Sequence, residues 1–231
     1  MTNPAFSTRN ICQVFVFDLD DTLYLERDFA FSGFDAVGAW VKAQLGIANF
    51  ADTAKRHFDT GRRDRVFDAT MVEIGIDPTP ALISQMVQVY REHEPKITLA
   101  ADAAEFLAQP QEHRAIAILT DGFLISQTNK LRALEIERFG VWPIVCTDVW
   151  GREFWKPHER GFKFIESAFH LPPDAFTYVA DNPIKDFIAP RRLGWRAIQI
   201  VRTGRIHTAQ VSDAVRIPDR CISSLREVGN L

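Results

Sequence analysis

The sequence predicts an α/β fold in which helices cover both faces of a parallel sheet and a helical segment is inserted near the N-terminus. Short runs of apolar residues recur along the chain, without the alternation of polar side chains that is typical of half-exposed strands. Such runs indicate strands that are buried on both faces. Helical patterns lie between the later runs, and strands that alternate with helices form parallel sheets through right-handed crossovers.

Five apolar runs are predicted to be the strands, and a polar residue ends each of them. The runs are 14–17, 115–119, 144–146, 176–180 and 197–201. The polar residues that follow are Asp18, Thr120, Thr147, Asp181 and Arg202. In open α/β sheets ligands bind beyond the carboxyl ends of the strands, so residues near these ends are candidates for a functional site.

Helices are predicted between the later strands, over 102–109, 126–134 and 161–170. The first of them stops before Pro110, since proline cannot continue a helix. The other two place apolar residues on one helical face, which is the pattern of a helix that packs against a sheet.

From residue 25 to about residue 96 the sequence shows helical patterns and no convincing strand. Apolar residues at helical spacing predict one helix that ends at Gly46 and another that ends at Gly75. A further helix begins with Thr79 as its cap and Pro80 as its first residue, and a weaker helical segment covers 50–60.

We therefore divide the chain into a core of residues 1–24 and 97–231 and an inserted helical bundle of residues 25–96. The alternative is that these helices are an ordinary part of the core. It is disfavoured because a crossover between two strands rarely needs four helices.

The composition excludes several classes of protein. Of the 231 residues 46% are hydrophobic and 25% are charged, which is typical of a globular protein and not of disordered, collagen-like or coiled-coil chains. The net charge of −3 gives no electrostatic reason to expect nucleic acid or an anionic membrane as a partner. No apolar run approaches the roughly 18 residues of a membrane span.

Three widely spaced cysteines argue against a disulfide framework or a zinc site and are typical of the reducing cytoplasm. Several arginines are expected to form solvated faces rather than a binding site. They are Arg62, Arg63, Arg65, Arg191, Arg192, Arg196, Arg202 and Arg205.

Carboxylates dominate the predicted carboxyl edge of the sheet. The residues near the strand ends are Asp18, Asp20, Thr120, Asp121, Asp181 and Asp186, and Lys156 follows the third strand after a loop. If the strands are parallel, these residues meet at one edge, where several carboxylates cannot all ionise without a counter-cation. Oxygen ligands in a site that keeps room for water suit Mg²⁺.

These residues resemble the signature motifs of the haloacid dehalogenase-like (HAD) superfamily. Residues 18–22, Asp-Leu-Asp-Asp-Thr, match the DxDxT motif, and Thr120-Asp121-Gly122 resembles the second motif, a Ser or Thr at the end of the second strand. Lys156-Pro157 is similar to the third motif and residues 181–186, two acids separated by four residues, to the fourth. Four motifs in order are far more specific than DxDxT alone. One departure is Ala180, where many members have glycine.

The resemblance implies a Rossmann-like parallel sheet with helices on both faces, plus an inserted all-helical cap domain of the C1 type at residues 25–96. It also implies a Mg²⁺-dependent phosphatase. Asp18 would be the nucleophile that forms an aspartyl-phosphate. Asp20 would protonate the leaving oxygen and later take a proton from the attacking water. Mg²⁺ would be bound by Asp18, the backbone carbonyl of Asp20, and Asp181.

The remaining motif residues would handle the phosphoryl group. The Thr120 hydroxyl and the backbone N–H groups of Asp121 and Gly122 would donate hydrogen bonds to it, and Lys156 would supply positive charge. Asp186 would support this shell from outside by orienting a metal ligand or Lys156.

Structural alternatives exist for some of these residues. Residues 20–22 could be a turn in which Asp and Thr side chains bond their own backbone. Asp186 could be the N-cap of a helix. The aromatic residues before Lys156 could line a pocket or could simply be packing; they are Trp150, Phe154 and Trp155.

The expected substrate is a small phosphorylated metabolite, a sugar phosphate or a nucleotide, because a helical cap leaves little room for a phosphoprotein. Dehalogenases of the superfamily lack the second acid, so Asp20 argues against that chemistry. A phosphomutase would use the same four motifs and stays open as an alternative. A non-catalytic binding protein that kept the fold is a further alternative. Such a protein is expected to have lost a motif residue, and none is lost here.

Overall fold

The structure, a computed structural model, describes residues 11–110 and 112–230 and is built on a six-stranded sheet in the order β3-β2-β1-β4-β5-β6. The strands are β1 (Gln13–Phe17), β2 (Arg114–Thr120), β3 (Ile144–Cys146), β4 (Phe176–Ala180), β5 (Arg196–Ile200) and β6 (Arg220–Ile222). Each neighbouring pair is parallel, which confirms the predicted fold class. The five predicted strands are β1 to β5. The sequence analysis missed β6, an edge strand of three residues in which only Ile222 is buried.

Alternation of side chains along the strands gives the sheet two apolar faces. Phe15, Phe17 and Ile116 belong to one buried cluster, whereas Val14 and Val16 belong to the cluster on the other face. Because both faces are covered, the strands are uniformly apolar in sequence. The helices that follow the insertion are α5 (Ala101–Leu107), α6 (Leu124–Ala133), α7 (Arg160–Phe169) and α8 (Ile188–Arg192). The first three were predicted within about two residues, and the short α8 was not.

Four helices separate β1 from α5, as the sequence predicts. They are α1 (Glu26–Leu45), α2 (Phe50–Asp59), α3 (Val66–Glu73) and α4 (Pro80–Glu92). Gly46 ends α1 in a left-handed conformation with φ of 74°, and the Thr79 hydroxyl accepts a hydrogen bond from the backbone N–H of Leu82 at 3.4 Å. These helices share a third apolar cluster around Phe34, Met71 and Met86. That they act as a separate domain stays a prediction.

The helical layer is fixed to the sheet core through the end of α4. The Ser126 hydroxyl on α6 donates a hydrogen bond to the Arg91 carbonyl at 3.0 Å, and the Asn129 amide donates to the carbonyls of Glu92 and His93, each at 3.1 Å. Among the described residues, no helix is both long enough and apolar enough to cross a membrane.

A buried ion pair connects the end of β5 to α5, and a hydrogen bond from the same arginine reaches the loop that follows β1. Arg202, which was expected to be solvated, is 8% exposed; its Nη1 lies 2.9 Å from Asp102 Oδ1, and its Nε donates to the Thr22 carbonyl at 2.8 Å. The other Asp102 oxygen accepts hydrogen bonds from the Ser224 hydroxyl and the Leu225 N–H. The expectation was wrong because sequence alone does not show that the end of β5 packs against α5.

Asp102→Asn should lower the free energy of unfolding by about 3 kcal/mol, because it leaves the buried Arg202 guanidinium without its counter-charge. Glu105→Gln on the same helix is the matched control, since its pair with Arg226 is more than half exposed and should contribute at most about 1 kcal/mol. Denaturant unfolding of both variants measures the difference. Equal losses would contradict a special role for the buried pair.

Candidate active site

At the carboxyl edge of the sheet, three predicted site residues lie around Asp18. They are Lys156, Asp181 and Asp186. β1 lies between β2 and β4, and the Asp18 N–H extends the pairing by donating to the Val179 carbonyl at 2.9 Å. Asp18 is therefore adjacent to Asp181, which directly follows β4. The strand order reverses at this point of the sheet, which is where open α/β sheets form their binding crevice.

Lys156 is the buried cation of this cluster. Its Nζ lies 3.0 Å from Asp18 Oδ2 and 2.8 Å from Asp186 Oδ1, and it donates to the Tyr178 hydroxyl at 2.9 Å. Burial alone would lower the pKa of Lys156, but the charges of Asp18 and Asp186 raise this pKa well above its usual value. Lys156 thus stays charged and fixes one carboxylate oxygen of Asp18.

Asp186 does not cap a helix, because the next helix begins at Ile188 with Phe187 as its N-cap. Its Oδ2 instead accepts a hydrogen bond from the Asn182 N–H at 3.0 Å, while its Oδ1 faces Lys156. Asp186 therefore contacts Lys156, and its role in orienting a metal ligand or Lys156 stays a prediction.

Three buried carboxylates converge near Lys156. Asp18, Asp181 and Asp186 each offer one oxygen, and these oxygens lie within 4.8 Å of one another. Burial raises the pKa of Asp181 to about 9, with the charges of Asp186 and Asp18 adding to the effect. Burial also raises the pKa of Asp18 to about 6, against the opposing charge of Lys156.

The arrangement fits a divalent cation. Asp181 Oδ2 is buried and has no hydrogen-bond partner among the residues that the structure describes. A buried carboxylate oxygen without a partner is costly, and hard oxygen ligands of this kind suit Mg²⁺. Asp18, Asp181 and the Asp20 backbone carbonyl could bind the ion, with Lys156 and Asp186 beside it.

The Asp20 side chain occupies a different environment from that of Asp18. Lys130 Nζ lies 2.7 and 2.8 Å from its two oxygens, and the Tyr24 hydroxyl and Gln127 Nε2 also donate to it. Burial would raise the pKa of Asp20, but the charge and the hydrogen bond of Lys130 hold it below its usual value. The carboxylate is thus fixed on three sides.

The sequence analysis missed these partners of Asp20. Lys130 and Gln127 lie three residues apart on α6, so they share one helical face. Both are almost completely buried, which is unusual for such polar side chains. The sequence signal for these partners is a polar pair just after Thr120-Asp121-Gly122, on a helix predicted from its apolar residues.

Thr120 and Asp121 shape the loop after β2. The Thr120 hydroxyl is buried and lies 3.3 Å from Gln127 Oε1, so in this structure it points to α6. Asp121 accepts hydrogen bonds from the Thr147 hydroxyl and the Lys156 N–H and pairs with Lys185. Its carboxylate therefore links the loops that carry the second, third and fourth motifs.

Gly122 has φ of 124°, a conformation that favours glycine, and a Cβ there would clash with the Gln127 side chain.

The turn alternative for residues 20–22 is correct for Asp21, whose φ is 51° and whose carboxylate accepts hydrogen bonds from the N–H groups of Glu26 and Ile206. Asp21 thus shapes the loop between Asp18 and α1.

A cavity of about 490 Å³ opens from the carboxylate cluster toward the inserted helices. Asp18, Asp20 and Asp181 lie on one side of it, together with Gly122 and Lys185. The opposite side is formed by residues of α1 to α4.

Of the three aromatic residues before Lys156, only Trp155 lines this cavity. Trp150 packs on Phe164, and Phe154 packs on His158.

Comparisons with known proteins agree with this architecture. The chain is 29% identical over 167 residues to a phosphoserine phosphatase from Thermus thermophilus, covering 72% of this chain but only 63%, less than two thirds, of that protein. It is 27% identical over 199 residues to a glyceraldehyde 3-phosphate phosphatase from Methanocaldococcus jannaschii, covering 81% of this chain and 84% of that protein.

Among solved structures, the fold is similar to that of the HAD hydrolase YfnB from Bacillus subtilis bound to magnesium. The TM-score is 0.65 and the sequence identity 17%, over 95% of this chain and 98% of that one. The haloacid dehalogenase-like hydrolase family itself matches residues 12–194, which include all four motifs and the helical insertion. The resemblance deduced from the motifs is therefore confirmed, and the chain belongs to the haloacid dehalogenase-like hydrolase family.

Proposed function

We propose that this protein is a Mg²⁺-dependent phosphatase that hydrolyses a small phosphorylated metabolite, with the helices of residues 25–96 as its cap. The observation that carries the proposal is the arrangement of Asp18: Lys156 fixes one of its oxygens, and the partnerless oxygen of Asp181 belongs to the same cluster. Two relatives that are named phosphatases support the same reaction class.

Asp18 is the nucleophile in this proposal. Its second oxygen has no hydrogen-bond partner among the described residues, so it is available to attack phosphorus. The new bond joins Asp18 to phosphorus as the bond from phosphorus to the leaving oxygen breaks. Lys156 and the backbone N–H groups of Asp121 and Gly122 stabilise charge on the phosphoryl oxygens.

Asp20 carries the protons. In its protonated form it gives one to the leaving oxygen, and as a carboxylate it later takes one from the water that hydrolyses the aspartyl-phosphate. Lys130, Tyr24 and Gln127 fix its carboxylate on the cavity side of α6, facing the same cavity as Asp18. Bound Mg²⁺ would neutralise charge on the phosphoryl oxygens and on the carboxylates around it.

The test of the activity is phosphate release from a panel of phosphorylated metabolites in the presence of Mg²⁺. Release from one or more of them at a rate that depends on Asp18 supports the proposal. Absence of release from every member of a broad panel would contradict it.

Asp18→Asn should lower turnover by about 10³-fold or more, because an amide cannot attack phosphorus. Lys156 keeps Asp186 as its counter-charge and the repulsion between Asp18 and Asp186 is removed, so the unfolding midpoint should not fall. Asp174→Asn is the matched control, since Asp174 is exposed on the surface and should leave turnover unchanged. An Asn variant that retains activity would show that Asp18 is not the nucleophile.

Chelation should abolish turnover, Mg²⁺ should restore it, and Ca²⁺ should restore it poorly because Ca²⁺ prefers more ligands at longer distances. Mg²⁺ should also raise the unfolding temperature. At a hundredfold excess over its Kd, its binding stabilises the folded state by about 2.7 kcal/mol. Asp181→Asn should remove most of this thermal shift. Full activity after exhaustive chelation would refute the metal requirement.

Asp20→Asn should slow the first step with an alkyl phosphate by about 10²–10⁴-fold, since its poor leaving group needs the proton. An aryl phosphate whose phenol has a low pKa should still phosphorylate Asp18, releasing a burst of phenol before the phosphoenzyme stalls. Single-turnover kinetics with both substrate types measures this. Equal losses in the first step would remove Asp20 as the acid.

A further inference from the structure

We propose that the part of the cavity beyond the carboxylates binds an aromatic ring of the substrate, so that the preferred substrates are phosphate monoesters of nucleotide size whose alcohol carries a flat aromatic group. This inference rests on the proposed function, because it concerns the leaving group of the same reaction. It goes further because it predicts a preference for phosphate monoesters whose alcohol carries an aromatic group. The four motifs are equally compatible with sugar phosphates.

The wall opposite the carboxylates is aromatic. Each of the four inserted helices contributes at least one ring, and the loops after β2 and β3 contribute two more. The ring-bearing residues of the wall are Phe29, Phe34, Phe58, Phe67, Tyr90, Phe123 and Trp155. Aromatic rings bind flat aromatic ligands by stacking and by edge-to-face contact.

The rings are held in place by one another. Phe34 lies edge-on to Phe58 with ring centroids 5.8 Å apart, and Phe67 lies edge-on to Tyr90 at 5.7 Å. Tyr90 can approach α1 only because residue 33 is glycine, where a Cβ would clash with the tyrosine ring. A wall that is already ordered loses little conformational freedom when a ligand binds.

A sugar alone is a poor match for this wall. Hydroxyls that lie against the rings would lose their hydration, and Arg63 and Arg65 on the same side already contact the Phe58 carbonyl and Asp68. Buried polar groups without partners are unfavourable. A cavity of about 490 Å³ also exceeds the needs of a three-carbon phosphate and lies within the usual range for ligands of nucleotide size.

Two polar groups remain available among the rings. Among the described residues, the Tyr90 hydroxyl has no hydrogen-bond partner, and the Arg91 guanidinium has neither an ion pair nor a hydrogen bond and lies 3.6 Å from the ring centroid of Phe123. By contrast Arg63 donates to the Phe58 carbonyl, and Arg65 pairs with Asp68. Free donors beside these rings suit the carbonyl and nitrogen acceptors on the edge of a heteroaromatic base.

The test compares purine and pyrimidine nucleoside 5′-monophosphates with ribose 5-phosphate. All three release the same kind of primary alcohol, so a difference in kcat/KM reports binding of the base and not leaving-group chemistry. The better nucleotide should exceed ribose 5-phosphate by about tenfold or more, as expected for stacking of one base.

Phe58→Leu removes a ring of the wall but keeps a large apolar side chain there, and it should reduce this ratio by about threefold or more, mainly through KM. Phe31→Leu is the matched control, because Phe31 packs on Phe58 at 5.7 Å but does not line the cavity. It should leave the ratio unchanged, and unfolding midpoints show that both variants are folded.

An active enzyme that prefers ribose 5-phosphate, or treats it and the nucleotides alike, would overturn the aromatic subsite and leave the phosphatase proposal intact. An equal fall of the ratio in both variants would also overturn the subsite. Absence of release from these three substrates, with release from other members of the panel, would overturn the inference alone. Absence of release from the whole panel would refute the proposed function, and the inference with it.

Discussion

An excess of buried negative charge is the constraint on which the rest of the site depends. Three carboxylates converge at the ends of β1 and β4, and Lys156 is the buried cation among them. Without a further cation, burial and mutual repulsion raise the pKa of Asp181 to about 9 and that of Asp18 to about 6. A divalent cation would relieve this repulsion and let both ionise, which couples metal binding to nucleophile activation.

Asp18 and Asp20 lie two residues apart, but their surroundings shift their pKa values in opposite directions. Asp18 has one fixed oxygen and a raised pKa, whereas Lys130 fixes the Asp20 carboxylate and its pKa is lowered. Without a further cation these pKa directions are opposite to what the proposed roles need, because a nucleophile must be ionised and an acid must hold a proton. A cation bound beside Asp18 would lower the pKa of Asp18 and favour its ionised form. The difference between the two environments is achieved by α6, because its Lys130 and Gln127 contact Asp20 and not Asp18.

The cavity has two chemically distinct halves that come from different parts of the chain. The sheet edge supplies carboxylates, lysines and backbone N–H groups, while the inserted helices supply most of the rings. The contacts that α6 makes to the end of α4 fix the distance between the halves. Most substitutions in α1 to α4 would therefore change the wall and not the residues around Asp18. Phe29 is an exception, because Lys130 Nζ lies 4.2 Å from its ring centroid.

The sequence was enough to predict the parallel sheet, the helices of the insertion and the residues at the strand ends, because apolar periodicity and motif spacing are local properties. It did not determine which side chains surround Asp20, that Arg202 is buried against Asp102, or that β6 extends the sheet. Lys130 and Asp20 are 110 residues apart, and Arg202 and Asp102 are 100 apart. Such contacts arise only when elements pack, and whether a lysine or arginine is a solvated surface group or a buried partner depends on what lies across from it, which a local pattern does not record.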